Sequence, residues 1–337
     1  MSPIKNAYSP QALAACRERI TEHLSLATPL IDGSFLQTCP VYLKAETILP
    51  TGSFKVRAAL NGILSQLERC QSKGVLTSSS GNFAQAVAWA AARLQCSATI
   101  VMTSTTSPYK IQRTRDLGAE VIICEPTFEA RWATTYRLEK ETGKILLHPY
   151  DSIETILGNG SIALELDEQL SALPAKHISI LVPVSGGGLL AGIALAIKTL
   201  PNPSKTYRIV GVQQLVNGSL KKSLAAGKPV KVAPFSSAAD ALVALMPGKQ
   251  AFNLIKKFVD DVVLVSEPDI LSASRLLMSE QKLLVEPAGA IGIAALRSGA
   301  YRLKIDEIAV CLLTGGNVTL EQLLDKKRGE DRVSSPF

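Results

Sequence analysis

Apolar residues along the chain alternate between short runs, typical of buried strands, and longer stretches with helical spacing. Between residues 74 and 150 the alternation is regular. Strands are predicted there over residues 74–78, 98–102, 120–124 and 145–148, and helices over residues 83–94, 108–117 and 128–142. Strands that alternate with helices of this length are typical of parallel βαβ units. The pattern therefore predicts a compact α/β block, closed by residues 148–151.

The rest of the chain shows the same alternation with longer interruptions. Helices are predicted over residues 11–26, 161–173, 189–200, 269–281 and 287–296, and strands over residues 178–184, 208–213, 262–265 and 307–313. Residues 214–250 carry turn signals and are predicted to be looser, and the polar tail after Arg328 is expected to fray. A second α/β series is therefore predicted.

One lysine stands at the mouth of a predicted turn. Gly52 and Ser53 are turn residues, and from Phe54 onward apolar residues recur at helical spacing, so Lys55 is predicted in the first turn of a helix. Burial and the positive end of the helix dipole both disfavour an ammonium group there. A neutral amine can attack a carbonyl and form a Schiff base. The alternative, on this stretch alone, is a solvated lysine.

A glycine loop follows the predicted strand over residues 178–184. Ser185 is followed by three glycines, Gly186–Gly188, and then by a helix, so backbone N–H groups and the helix dipole favour a bound phosphate. A tight turn without a ligand is the simpler alternative. The loop also matches a loose dinucleotide fingerprint, but the next strand ends in Gln213 and Gln214 rather than in an acid that would hold a ribose. The oxidoreductase interpretation is weakened accordingly.

Composition narrows the class of protein. A chain of 337 residues with 47% hydrophobic content can bury a large core and has the length of about two domains. The net charge of +7 comes from 36 basic and 29 acidic residues that are scattered along the chain. This surplus indicates mild attraction for anions rather than a nucleic-acid groove, so no nucleic-acid partner is expected.

Cysteines and histidines offer little for metal binding. The six cysteines lie far apart with no Cys-x-x-Cys pair, and none of the three histidines stands in a suggestive motif. Metal sites and disulfide frameworks are therefore not expected, which suits a reducing compartment. No signal-peptide pattern and no apolar run of membrane-spanning length is present, so a cytoplasmic protein without a membrane partner is predicted.

Five motifs taken together, in this order, resemble the fold-type II pyridoxal-phosphate enzymes, and most closely the serine/threonine dehydratase and serine racemase group. The motifs are Thr51–Gly52–Ser53–Phe54–Lys55, Ser79–Ser80–Gly81–Asn82–Phe83–Ala84–Gln85, Ser185–Gly186–Gly187–Gly188–Leu189–Leu190–Ala191–Gly192, Glu286–Pro287–Ala288–Gly289 and Thr314–Gly315–Gly316–Asn317. Weaker similarity extends over about residues 10–325. Each motif alone is modest, but five in the right order are specific.

The resemblance implies a tryptophan synthase β-like α/β fold, with two open, twisted, mostly parallel sheets flanked by helices. It implies a large domain that binds pyridoxal 5′-phosphate, made of residues 1–73 and 151–337. It also implies a small domain, residues 74–150, that closes over the substrate. A homodimer is the expected assembly.

The resemblance assigns roles around the cofactor. Lys55 would carry pyridoxal 5′-phosphate and move the Cα proton, Phe54 would lie near the ring, and Asn82 would bond the ring hydroxyl. The phosphate would lie on Ser185, Gly186, Gly187, Gly188 and Leu189. Thr314 would face the pyridine nitrogen, and a hydroxyl there makes the ring a mild electron sink. Glu286 would lie beside the cofactor; the alternative is a carboxylate stabilised by a helix dipole.

The resemblance also assigns a substrate loop. The carboxylate of an amino acid would be bound by Ser79, Ser80, Gly81, Asn82 and Phe83. Ser80 matches the serine that acts as acid and base opposite the lysine in racemases, and its alternative is a helix-capping serine. Arg131 lies in a segment that resembles the racemase segment whose arginine reaches the distal end of the substrate. Its alternative is a solvated helix arginine that pairs with a neighbouring acid.

Two departures from the family pattern affect the site. Phe83 stands where histidine is common, which makes the substrate cavity more apolar. Gln213 and Ser219 stand where the family has the Glu and Asp of a divalent-metal site. Hard cations need carboxylate oxygens, so no metal is expected there.

The activity implied by the resemblance is a lyase reaction, the β-elimination of water from a small 3-hydroxy amino acid to give a 2-oxo acid and ammonia. The candidates are serine, threonine and 3-hydroxyaspartate. Racemisation through Lys55 and Ser80 is the enzymatic alternative. A pyridoxal-phosphate-binding protein without turnover is the alternative from another class.

Overall fold

The computed structural model describes residues 8–24, 27–33, 35–36, 40–200 and 202–324. The strands within these residues are β1 (Leu30–Asp32), β2 (Val41–Ala45), β3 (Val75–Ser78), β4 (Ala98–Thr103), β5 (Glu120–Cys124), β6 (Ile145–Leu146), β7 (His177–Pro183), β8 (Thr206–Gln214), β9 (Asp261–Val265) and β10 (Glu307–Leu313). The helices are α1 (Pro10–Thr21), α2 (Lys55–Leu64), α3 (Leu67–Lys73), α4 (Asn82–Arg93), α5 (Pro108–Asp116), α6 (Phe128–Thr142), α7 (Ile153–Ser171), α8 (Gly188–Thr199), α9 (Ser219–Ala226), α10 (Lys249–Phe258), α11 (Glu267–Gln281), α12 (Pro287–Arg297) and α13 (Leu320–Leu324).

The strands of the described residues form two sheets. The larger has the order β1-β2-β10-β7-β8-β9 and the smaller the order β5-β4-β3-β6. Neighbouring strands are parallel except β1, which runs antiparallel to β2. The predicted α/β fold with two mostly parallel sheets is therefore confirmed, and the smaller sheet uses only strands between residues 75 and 146.

Helices cover both faces of the larger sheet. Ile180 of β7 lies in a core shared with α7 and α8, whereas its neighbour Leu181 lies in a second core shared with α11 and α12. Because side chains alternate between the faces of a strand, a strand covered on both faces is buried along most of its length and is largely apolar, as β7 and β10 are. Such continuous apolar runs made these central strands visible in the sequence.

The carboxyl ends of the strands carry the predicted motifs. The Ser79–Asn82 loop follows β3, the glycine loop follows β7, and Thr314 follows β10. The turn before Lys55 follows β2 after one 3-10 turn, Glu46–Ile48. In open parallel sheets ligands bind at this edge, so the topology brings the motifs into one region.

Several predicted bounds were wrong. The helix predicted over residues 161–173 begins at Ile153, because the Ser152 hydroxyl accepts from the Thr155 N–H and caps it. The helix predicted over residues 11–26 ends at Thr21, and residues 25–26 lie outside the described residues. The segment 214–250, predicted to be loose, contains α9. The tail after Arg328 lies outside the described residues.

Candidate active site

The turn before Lys55 is anchored to the end of β10. Gly52 has a φ of +68°, a left-handed conformation that favours glycine. The Phe54 N–H donates to the Thr314 carbonyl at 3.0 Å, and Ser53 pairs with Gly315 in an isolated bridge. Two motifs far apart in the chain are thereby joined, and Lys55 begins α2 as predicted.

Lys55 is half-buried in an apolar setting. Its Nζ donates to the Pro149 carbonyl at 2.8 Å and lies 5.0 Å from the centre of the Phe54 ring and 5.5 Å from that of Phe83. Burial lowers the pKa of Lys55 from 10.5 to about 8. A larger fraction of this amine is therefore neutral near pH 7, as a carbonyl-attacking group requires.

The glycine loop is packed so tightly that side chains do not fit. A Cβ on Gly186 would lie 2.3 Å from Tyr150 Cδ2, and one on Gly188 would lie 2.3 Å from the Tyr150 carbonyl oxygen. Gly187 has a φ of +93°. The loop opens directly into the N-terminus of α8, where backbone N–H groups and the helix dipole favour an anion. Its geometry suits a phosphate group.

Asn82 and Glu286 form a hydrogen-bonded pair at the start of two helices. Asn82 Nδ2 donates to Glu286 Oε1 at 2.8 Å, and Asn82 Oδ1 accepts from Asn317 Nδ2 at 2.8 Å. Burial, with Asp240 nearby, raises the pKa of Glu286 to about 7. Glu286 is the N-cap residue of α12 but its side chain makes no capping bond to that helix, so the alternative of a carboxylate stabilised by the helix dipole stays open.

The Ser79–Phe83 loop brings Ser80 to Arg131. The Ser80 Oγ accepts hydrogen bonds from Thr106 Oγ1 at 2.8 Å and from Arg131 Nη1 at 3.3 Å. Gly81, not Ser80, occupies the capping position of α4. The capping alternative for Ser80 therefore has no support in the geometry.

Arg131 lies in the first turn of α6, which the Thr127 hydroxyl caps. Its guanidinium carbon is 5.7 Å from the Phe128 ring centre, and its Nε is buried without a hydrogen-bond partner in the described part of the chain. Burial lowers the pKa of Arg131 from its ordinary value. The predicted alternative, a solvated arginine paired with an acid, is not what the structure places there.

Ser185 and Phe83 complete the predicted set. The Ser185 hydroxyl oxygen accepts from the Ala244 N–H at 3.2 Å, which leaves its proton free to donate. Phe83 is buried, with 2% of its surface exposed, so it forms an apolar wall beside Lys55.

Sequence reasoning missed Pro149 and Tyr150 as parts of the site. Pro149 contributes a backbone carbonyl, which no side-chain motif announces. The Tyr150 ring packs against Gly186. The available signal was position, since these residues join the small sheet to α7 and hence lie where the chain crosses between the two sheets.

The position of the family's metal site is occupied by neutral groups. Gln213 Nε2 donates to Ser219 Oγ at 3.1 Å, and the Leu220 N–H donates to Gln213 Oε1 at 3.1 Å. Over the described residues, no group of three or more His, Cys, Asp or Glu residues could hold a metal ion.

Chelation is expected to leave activity nearly unchanged. An amide and a hydroxyl bonded to each other provide no carboxylate for a hard cation, so EDTA should lower the turnover rate by less than about twofold. The measurement is ammonia release before and after dialysis against EDTA, with magnesium or calcium added back. A large loss that either cation reverses would contradict the expectation.

The site defines a class of protein. A half-buried lysine with a lowered pKa, a glycine cradle at a helix N-terminus and a buried Asn–carboxyl pair suit an aldehyde cofactor that carries a phosphate. The family model described as "Pyridoxal-phosphate dependent enzyme" matches residues 23–315, and the chain belongs to this family of pyridoxal-phosphate dependent enzymes.

The similar proteins and structures are named for two different activities. The chain is 39% identical over 285 residues to L-threonine ammonia-lyase of Geobacter sulfurreducens. The matched residues make up 84% of this chain and 69% of that protein. It superposes on the crystal structure of a threonine deaminase from T.th. with a TM-score of 0.85 and 38% identity, covering 92% of this chain and 99% of the other. For maize serine racemase the TM-score is 0.84 with 31% identity, and the match covers 94% of this chain and 95% of the other.

Among the helices that the structure describes, none has the length and apolar character to cross a membrane.

Proposed function

We propose that this protein is a lyase that eliminates water from a small 3-hydroxy amino acid to give a 2-oxo acid and ammonia. The observation that carries the proposal is Lys55, a lysine of lowered pKa that lies next to Phe83 of the Ser79–Phe83 loop, in which Ser80 contacts Arg131. Threonine ammonia-lyase and threonine deaminase relatives support the reaction class. Bound pyridoxal 5′-phosphate supplies a carbonyl for the amino group and a ring that withdraws electrons from Cα.

The residues divide the work by position. Lys55 would hold the cofactor and would take the Cα proton. The glycine loop would hold the phosphate, and Asn82, Glu286 and Thr314 would lie around the ring. The Ser79–Phe83 loop binds the substrate carboxylate at the N-terminus of α4 through backbone N–H groups and the Ser79 hydroxyl.

The direct test is a panel of D- and L-isomers of serine, threonine and 3-hydroxyaspartate. Keto acid and ammonia should appear together in equal amounts for at least one of them. Inverted amino acid without ammonia would indicate a racemase instead. Absence of both products with cofactor bound would indicate a binding protein without turnover.

Racemisation is the second candidate, and the geometry of Ser80 favours it specifically. Its oxygen accepts from Thr106 and from the Arg131 cation, an arrangement that leaves its own proton free and eases its loss. A serine racemase is also among the structural relatives.

Ser80→Ala is expected to suppress inversion more than elimination. Elimination needs proton removal from the lysine face only, whereas inversion also needs proton delivery from the opposite face. Because positioned acid–base groups contribute about 10²–10⁴-fold, inversion should fall at least about 100-fold and elimination much less. Chiral chromatography and keto-acid detection on the same reaction mixtures give both rates. Equal losses would assign Ser80 a binding role only.

Arg131→Ala is expected to change substrate choice. A charge-assisted contact between this guanidinium and a polar or anionic end of the substrate is worth about 1.5–3 kcal/mol, so kcat/KM should fall roughly tenfold to a hundredfold. The loss should be largest for 3-hydroxyaspartate and small for threonine. Steady-state kinetics on both substrates provides the measurement.

Arg137→Ala is the matched control, because Arg137 lies in the same helix and is exposed, paired with Glu141 at 2.7 Å. It should leave all substrates unaffected. If Arg131→Ala changes kcat/KM equally for all substrates, Arg131 does not determine substrate choice.

We further propose that residues 74–150 form the domain that closes over the substrate. Exposed ion pairs bridge this part to the rest of the chain, Lys231 Nζ to Glu129 Oε1 at 2.6 Å and Lys110 to Asp240. Exposed pairs are weak and separate readily, which suits a cleft that must open. A cytoplasmic homodimer stays a prediction, which gel filtration with light scattering and cell fractionation would test.

A further inference from the structure

Residues 148–151 form a turn, called here the His148–Asp151 turn, between β6 and α7. In sequence it marks only the end of the small-sheet block. In the fold Pro149 contacts Lys55 and Tyr150 contacts the glycine loop, whereas His148 and Asp151 contact helices α6 and α10. That concentration of contacts is not required for a simple connection between a strand and a helix.

His148 fixes the conformation of this turn. Its Nδ1 accepts from the Asp151 N–H at 2.8 Å and from the Tyr150 N–H at 3.3 Å. Burial, which outweighs the nearby Asp151 carboxylate, lowers the pKa of His148 to about 4. The imidazole is therefore neutral near pH 7 and carries its proton on Nε2, since Nδ1 serves as the acceptor.

The turn holds the lysine and the phosphate cradle. The Pro149 carbonyl accepts from Lys55 Nζ at 2.8 Å, and Tyr150 packs on the glycine loop. The Asp151 carboxylate accepts three backbone N–H bonds from the first turn of α10, at 2.8–3.1 Å. Directly before α10, the Gly248 N–H donates to the Gly186 carbonyl at 2.9 Å. Through these contacts the turn is bound to both halves of the cofactor site.

The His148 ring also reaches the helix that carries Arg131. It stacks on Trp132, with ring centres 4.8 Å apart and planes inclined by 20°. Trp132 follows Arg131 directly in α6 and is buried. Offset aromatic stacking of this kind has a preferred geometry, so it fixes the position of α6 relative to the turn.

We propose that His148 is a positioning residue: its Nδ1 holds the turn that presents the Pro149 carbonyl to Lys55, and its ring sets the position of Arg131 through Trp132. The two functions use different parts of one side chain and are separable by mutation. Only the second part of this inference, the effect of the ring on Arg131 and on substrate binding, rests on the proposed function.

Three substitutions separate the functions. His148→Asn keeps an acceptor near Nδ1 but removes the ring; His148→Gln removes both and places its amide near Nε2; His148→Phe keeps a ring but removes the acceptor. His177→Phe is the control, because His177 is exposed at the amino end of β7, opposite the glycine loop. Each full-length variant is freed of cofactor, titrated with pyridoxal 5′-phosphate and reduced with borohydride, and the label on Lys55 is quantified over time.

The expected pattern has two parts. Labelling of Lys55 should slow about tenfold in His148→Gln and His148→Phe and stay near wild type in His148→Asn. KM for 3-hydroxyaspartate should rise about threefold or more in His148→Asn and His148→Gln, with less effect on kcat, and stay near wild type in His148→Phe. Trp132→Leu should reproduce the KM effect without slowing the labelling.

Other patterns overturn the proposal. Equal slowing of Lys55 labelling in the Asn and Gln variants, or none in either, would show that the Nδ1 acceptor of His148 does not position Lys55. An unchanged KM in Trp132→Leu would show that the His148 ring does not act on Arg131 through Trp132. Labelling needs no turnover, so it tests the acceptor role even where no substrate reacts and the proposed function fails. Should His148→Phe not fold, the Asn and Gln pair decides the acceptor role alone.

Discussion

Lys55→Ala is expected to abolish turnover and cofactor trapping together. The lysine is the only group that the proposed function uses both to hold the cofactor and to take the Cα proton. Loss of a positioned proton-transfer group alone lowers rates by about 10²–10⁴-fold, and loss of covalent attachment adds to this. The measurements are keto-acid release and borohydride reduction followed by peptide mapping, in which wild-type label should map to Lys55.

Lys73→Ala provides the control, because Lys73 is an exposed lysine at the end of α3. It should retain full activity and labelling. Borohydride label on a lysine other than Lys55 in the wild-type protein would refute the assignment.

The lowered pKa of Lys55 adds a pH dependence. With a pKa of about 8 instead of 10.5, the neutral fraction near pH 7 rises on the order of 10²-fold. Since only the neutral amine attacks a carbonyl, the rate of labelling in the cofactor-free protein should rise up to about pH 8 and then level. A rate that still rises steeply beyond pH 9 or so would show an unperturbed lysine.

Local signals in the sequence located elements with clear ends. Helix α6 was predicted to the residue because Thr127 is a capping residue and Gly143 adopts the left-handed conformation that ends the helix. The start of helix α7 was predicted eight residues too late, at residue 161 instead of Ile153. In the fold a Cβ on Gly158 would lie 2.8 Å from Ala58 Cα, so this glycine permits a close helix contact.

The parts of the site that could be predicted are those formed by local sequence motifs. The turn before Lys55 and the glycine loop have local backbone signatures. The contact of Ser80 with Arg131 joins residues 51 positions apart. The family resemblance assigned both residues to the substrate site but did not predict this contact. The Pro149 carbonyl belongs to the backbone and has no signature in side-chain chemistry.

A buried ion network close to Lys55 in the chain could not be predicted from the sequence either. Its members are Lys44, Glu46, Arg57 and Glu165. Arg57, two residues after Lys55, donates to both oxygens of Glu46 at 2.7 and 3.0 Å and to both oxygens of Glu165 at 2.6 and 2.9 Å. Lys44 Nζ donates to Glu165 at 2.8 Å. Two cations thus balance two carboxylates, and the partners come from positions that no local pattern connects.

The electrostatics of Arg57 follow from this geometry. Burial opposes its charge, but the Glu46 and Glu165 carboxylates outweigh burial and raise its pKa. For Glu165, burial is likewise outweighed by Arg57 and Lys44, so its pKa is lowered. A carboxyl with a lowered pKa contributes stability above its unfolded pKa, which is lost as pH falls through the folded value. The network should therefore weaken in acid.

Arg57→Met is expected to destabilise the protein by about 3–5 kcal/mol, because it leaves two buried carboxylates with one cation. Because Arg57 lies in the first turn of α2, Lys55 labelling should also slow. Urea denaturation of the cofactor-free protein measures the free energy of unfolding. The matched control is Arg17→Met, which breaks the more exposed bidentate pair with Glu168 on α7 and should cost about 1 kcal/mol or less.

The double variant Arg57→Met/Glu46→Leu separates charge imbalance from lost packing. It removes one cation and one anion, so Glu165 stays paired with Lys44 and no unbalanced charge remains in the network. Replacement of a buried ion pair by apolar groups of similar size is often close to neutral. The double variant should thus be more stable than Arg57→Met alone. If it is less stable by the full cost of a second mutation, the two side chains act independently and the network explanation fails.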